Sequence, residues 1–173
     1  MIIGMSLHAF TVLHVIITLI AIATGFVVML GMVGSHRLAA FTAIFWLTTL
    51  LTSVTGFMFP INGFTPALGV GAFAMIILAI GLVALYVKHL AGSWRWIYTV
   101  TAVISLYLNF FVLITQSFQK LAFINPLAPQ VGPPFTGATS TEFSVAQAVA
   151  LLFFIVMGIV TAIKFRPGTA QPT

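Results

Sequence analysis

Apolar positions along the chain fall into five long runs, broken by short stretches of Gly, Pro and basic residues. The runs cover about Leu7 to Val33, Leu38 to Phe59, Ala67 to Val87, Trp96 to Phe118 and Phe143 to Ile163. A helix needs roughly 20 apolar residues to cross the hydrocarbon core. The pattern therefore predicts an all-α integral membrane bundle of five transmembrane helices. Three of the breaks are short: "GSHR", "PINGFTP" and "KHLAGSWR". The second stops its helix at Pro60 and carries Asn62-Gly63, a turn dipeptide. The fourth break, 119–142, is longer and contains "NPLAPQVGPPFTG", which regular helix does not accommodate. "QSFQKLAFIN", at its start, reads as an amphipathic interfacial turn with Phe118, Leu121 and Phe123 toward lipid. Phe57, Phe59 and Phe64 are expected to cap the bundle, with the Gly132–Phe135 stretch on the same surface. The helices read as continuous, without the paired Gly or Pro interruptions of inverted-repeat transporters.

Polar residues inside the runs are not scattered. At about 100° per residue, Tyr98, Thr101, Ser105, Asn109, Val112 and Gln116 form one narrow stripe on a helix otherwise made of Val, Ile, Leu and Phe. Thr11, His14 and Thr18 share a face of the first helix, with His8 near its edge. Thr42, Thr49, Thr52, Ser53 and Gly56 do so on the second, and Gln147, Ala150, Phe154, Gly158 and Thr161 on the fifth. An amide in hydrocarbon faces other helices or a cavity, because lipid leaves it unpaired. With the N-terminus outside, His14 lies roughly 10 Å from the outer end of its helix at 1.5 Å per residue. Thr52 and Ser53 come out near that depth, Asn109 slightly deeper and Gln147 shallower. The strongest hydrogen-bonding groups therefore gather in the outer half of the bundle.

Composition sharpens the class. Hydrophobic residues are 61% of the 173 and charged residues 4%, too little charge to build a water-soluble surface. Charge sets the orientation. N-out, C-in placement leaves Arg37, Lys88, Arg95, Lys164 and Arg166 in the cytoplasm and only Lys120 outside, in accord with the positive-inside rule. Trp94 and Trp96 flank Arg95 as an aromatic belt does. The N-terminal stretch lacks a basic n-region and reads as a retained first span. The six Lys and Arg stand singly or in pairs, which fits topology and lipid headgroups and excludes nucleic acid as a partner.

The same inventory narrows the chemistry. With no cysteine, thiolate catalysis and Cys-ligated metals are excluded. Glu142 is the only acid, which removes paired-carboxylate chemistry and a Ser-His-Asp triad. No HExxH motif is present, and no metal site is expected. Bis-His ligation of haem b needs two imidazoles at one depth on facing helices. His8 and His14 share one helix, while His36 and His89 fall at the surface. His14 with Met58 is a weaker pairing for haem. A quinone headgroup would suit His with Asn or Gln.

The stretches "TSVTGFMFP", "GSWRWIYTVTAVISLYLNFFVL" and "QSFQK...PLAP...PPF" are similar to those of small bacterial inner-membrane proteins of hypothetical function. That resemblance implies a bacterial inner-membrane location and supplies no activity, cofactor or site residue. The expected function is a non-catalytic membrane module holding a hydrophobic ligand, quinone or lipid-like, against His14, Thr52, Ser53, Asn109 and Gln147. The alternatives are a structural accessory subunit of a larger membrane complex, which includes self-association, and a small haem- or quinone-dependent redox protein. In the plainest reading the same groups bond one another and hold the bundle together.

Overall fold

A computed structural model describes residues 2–60, 66–121, 123, 127 and 140–166. Five helices long and apolar enough to cross a membrane account for nearly all of them. They are α1 (Leu7–Val33), α2 (Ala39–Phe57), α3 (Pro66–Leu82), α4 (Trp94–Lys120) and α5 (Thr141–Lys164). Their starts and stops have local causes. The Ser6 hydroxyl accepts the Ala9 N–H at 3.2 Å and the Ser140 hydroxyl accepts that of Phe143 at 3.2 Å, each satisfying an orphan donor of a first turn. Glu142 in the first turn of α5 and Lys164 in its last both oppose the helix dipole. Asn62-Gly63, Phe64 and the Gly132–Phe135 stretch lie outside the described residues.

The third span reaches Val87 as expected, its last turn widening into a π-helical segment, Val83–Val87, closed by Lys88 N–H donating to the Val83 carbonyl at 2.9 Å. His89 and Leu90 then take left-handed backbone (φ 49° and 60°), held because Leu90 is buried and its N–H reaches the Ala84 carbonyl. Phe118 does not turn to lipid. α4 continues two residues beyond it, and its ring packs edge-on against Phe143 with centroids 5.4 Å apart. Leu121 and Phe123 are exposed as expected.

The chain order alternates direction, so one end of the bundle holds Arg37, Lys88, Arg95, Lys164 and Arg166, and the other holds Lys120 and Glu142. We call these the basic end and the Glu142 end. α4 lies against α1, α3 and α5, and α1 also touches α2 and α5. α2 and α4 stand diagonally, and large side chains fill the space between them. Two glycines make that possible. A Cβ on Gly25 of α1 would sit 2.6 Å from Leu106 of α4 and 2.9 Å from Phe45 of α2. A Cβ on Gly81 of α3 would sit 2.2 Å from the Trp46 ring and 2.9 Å from Thr101 Oγ1. Trp46 thus lies in a notch that only glycine provides. Its ring centroid is 5.3 Å from that of Phe45 and 6.1 Å from that of Tyr98. Close packing of this kind, more than hydrophobic transfer, holds helices together in lipid.

At the basic end the chain folds back after α5. Phe165 is buried beneath Tyr98, ring centroids 6.0 Å apart. Ser35 Oγ donates to the Arg166 carbonyl at 2.6 Å and accepts the Arg166 N–H at 2.9 Å. An Arg95 guanidinium N–H donates to the Phe165 carbonyl. The connection between α1 and α2, the start of α4 and the end of α5 are therefore tied at one place.

Candidate functional site

The stripe on α4 faces inward. Tyr98, Thr101, Ser105 and Asn109 are buried, while Val112 and Gln116 are half-buried. Asn109 is only 8% exposed, and its Nδ2 donates to Thr49 Oγ1 of α2 at 3.2 Å. α2 then supplies further hydroxyls at three-residue intervals, about 4.5 Å apart along its axis. Thr52 meets Thr18 of α1 at 3.3 Å, and Thr55 meets His14 Nδ1 at 2.7 Å. Three threonines of one helix thus take one side chain from α4 and two from α1. His14, Thr52 and Asn109 of the expected set come together along this ladder. Ser53 is half-buried beside Thr52 and takes no part in these bonds.

Hydrogen bookkeeping fixes the direction of each rung. Thr18 gives its hydroxyl hydrogen to the His14 carbonyl at 2.8 Å, so Thr52 donates to Thr18. Thr55 gives its hydrogen to the Leu51 carbonyl at 2.6 Å. It therefore accepts from His14, and we assign the imidazole hydrogen to Nδ1. The ring is also packed edge-on by Phe59, centroids 5.2 Å apart, and Phe59 in turn meets Phe10 at 5.0 Å. This is the aromatic cap over the Glu142 end. Its other described member, Phe57, lies beside Gly71 of α3, whose Cβ would come within 3.1 Å of the ring.

Gln147 stands apart from the ladder. Its Nε2 donates to the Phe111 carbonyl at 3.2 Å and to Thr115 Oγ1 at 3.1 Å, both on α4. Its Oε1 is buried with no hydrogen-bond partner. The predicted polar face of α5 is otherwise inward as expected, with Ala150, Phe154 and Thr161 buried. Thr161 returns its hydroxyl to the Met157 carbonyl at 2.7 Å.

One turn from Gln147 toward the basic end, a groove opens between α4 and α5. It encloses about 270 Å³ and runs from Tyr107 and Leu151 to Val100 and Ala162. At 1.5 Å per residue, Leu151 to Ala162 is about 16 Å, half the hydrocarbon thickness. Its walls are Val103 and Ile104 on one side and Phe154, Ile155 and Ile159 on the other, with Gly158 opposite Val103. Sequence patterning did not find this groove, because a seam of Val, Ile and Gly looks the same as ordinary helix packing. Gly158 was the available signal, placed on the inward face but with no partner to reveal the gap.

The histidines do not assemble a metal centre. Among the described residues, no group of three or more His, Asp or Glu comes together. His14 turns to Thr55 and Phe59 while Met58 is exposed, and His8, His36 and His89 are all exposed. No family model matches the chain, and neither a curated protein nor a solved structure does.

Proposed function

We propose that the chain is a non-catalytic, multi-pass protein of a bacterial inner membrane, N-terminus outside and C-terminus cytoplasmic. In this reading it holds the hydrocarbon chain of a lipid-like or quinone-like ligand in the α4–α5 groove. The supporting observation is the groove itself, lined by apolar side chains apart from the Tyr107 hydroxyl. Its volume falls just below the ~300–1,000 Å³ usual for whole small molecules, which suits a segment of chain. The orientation rests on the charge split, five Lys and Arg against one. The ladder argues for placing the ligand here: His14, Thr52 and Asn109 already bond to other helices. Gln147 stays beside the proposed site, one turn from Leu151, with its amide turned to the Phe111 carbonyl and Thr115.

A lipid carrying a photoactivatable diazirine at mid-chain tests the proposal. Irradiated in membranes and mapped by peptide mass spectrometry, it is expected to label residues 151–162 and 100–107 above other helix surfaces. Uniform labelling of all lipid-facing surfaces would defeat the groove. Crosslinks from this seam to another polypeptide would instead favour an accessory-subunit role.

A further inference from the structure

The basic end ties together the chain segments that carry three arginines, and the protein's one acidic side chain lies at the other end. Ser35 joins the α1–α2 connection to Arg166 by two hydrogen bonds, and Arg37 follows Ser35 by two residues. Arg95 is joined to the residue before Arg166 through the Phe165 carbonyl. Arg37 and Arg166 are exposed, and Arg95 is half-buried. The one acidic side chain of the protein, Glu142, starts α5 and is a full helix length away. An anion that reaches these arginines meets no competing carboxylate side chain at this end.

We propose that Arg37, Arg95 and Arg166 form a binding site for the phosphate of an anionic phospholipid. Guanidinium groups match phosphate oxygens with paired N–H donors. The source is the bilayer because the cluster sits at the ends of helices long enough to cross it. Trp96, exposed one residue from Arg95, belongs to the headgroup level where indoles gather. Basic pockets between helix ends at this level are suited to such headgroups. The site is separate from the groove: it reads the charge of a headgroup, and the groove reads a chain.

The test uses the full chain in mild detergent, with phosphatidylglycerol and phosphatidylcholine of identical acyl chains and adducts counted by native mass spectrometry. Wild type is expected to prefer phosphatidylglycerol. Each arginine near an anionic lipid contributes about fivefold, so Arg37→Gln with Arg166→Gln should lower the preference by about twenty-five-fold. Lys88→Gln removes one charge from the same end, where its ammonium lies over the Trp94 ring and shares none of the ties to Arg166, and should leave the preference near that of wild type. Ser35→Ala changes no charge but cuts the tie to Arg166, and should give an intermediate loss. Equal adducts on the two lipids in wild type would overturn the proposal. So would a loss in Lys88→Gln equal to that in Arg166→Gln, since diffuse surface charge would then account for binding. Displacement of the lipid by millimolar inorganic phosphate would show that free phosphate is the ligand and overturn the lipid assignment.

Discussion

Replacing Gly81 by Ala adds one methyl group where the packing of α2, α3 and α4 has no room for it. The new carbon would stand 2.2 Å from Trp46 Cη2, 2.9 Å from Trp46 Cζ2 and 2.9 Å from Thr101 Oγ1. The indole cannot retreat. It is 2% exposed and lies between the rings of Phe45 and Tyr98, which are themselves buried. Thr101 is equally fixed, because its hydroxyl is bonded to the Ile97 carbonyl at 2.8 Å. Overpacking of this kind costs roughly 1–3 kcal/mol, and Ala returns about 0.5–1 kcal/mol through helix propensity. The expected net effect is a destabilisation of about 0–2.5 kcal/mol, toward the upper part of that range because the closest approach, 2.2 Å, is to a buried ring. Gly158→Ala is the matched control. Its Cβ would meet Val103 Cγ1 at 3.5 Å, an ordinary contact, so only the propensity gain remains. Reversible unfolding in mixed micelles with rising sodium dodecyl sulfate, followed by far-ultraviolet circular dichroism, measures both. Gly81→Ala at or above wild-type stability would refute the packing of Trp46 into α3.

Other consequences follow from the polar groups. A double-mutant cycle with Asn109→Leu and Thr49→Val should give a coupling near the ~0.6 kcal/mol average for interhelical hydrogen bonds in lipid; strict additivity would mean the two do not bond. Nitrogen-15 spectra of the histidines should show the His14 hydrogen on Nδ1, and an Nε2–H tautomer would contradict the direction assigned to the Thr55 contact. Ser105 Oγ is buried without a partner, so Ser105→Ala should be neutral or stabilising by about 1 kcal/mol; a loss above 1 kcal/mol in the same micelle unfolding would reveal a bond missing from this account.

The helices were legible because the sequence signal for them is long: five apolar runs are hard to mistake for anything but spans. The inward turn of Asn109 was legible for the related reason that an amide cannot face acyl chains. Thr55 escaped a one-face reading of α2. Steps of three residues fall short of a full turn by about 60°, so the ladder rotates about 120° from Thr49 to Thr55. It leaves the side facing α4 and reaches the side facing α1, as only the neighbours' positions could show. The widened turn at Val83–Val87 carries no Pro or Gly to announce it. The ties from Ser35 to Arg166 join residues 131 apart, and no local pattern encodes such a contact. The spacing of Gln147 put it with the other polar groups by depth, yet its helix packs on the far side of α4 from the ladder, which gave it different partners.

If the polar ladder holds the helices and the α4–α5 groove holds the proposed ligand, lipid retention by native mass spectrometry separates the two. Gly158→Leu puts a side chain into the groove, and Asn109→Leu breaks a rung of the ladder. The chain-bearing adduct of wild type is expected to be lost in Gly158→Leu and kept in folded Asn109→Leu. An adduct that survives Gly158→Leu and disappears in Asn109→Leu would contradict this placement of the ligand.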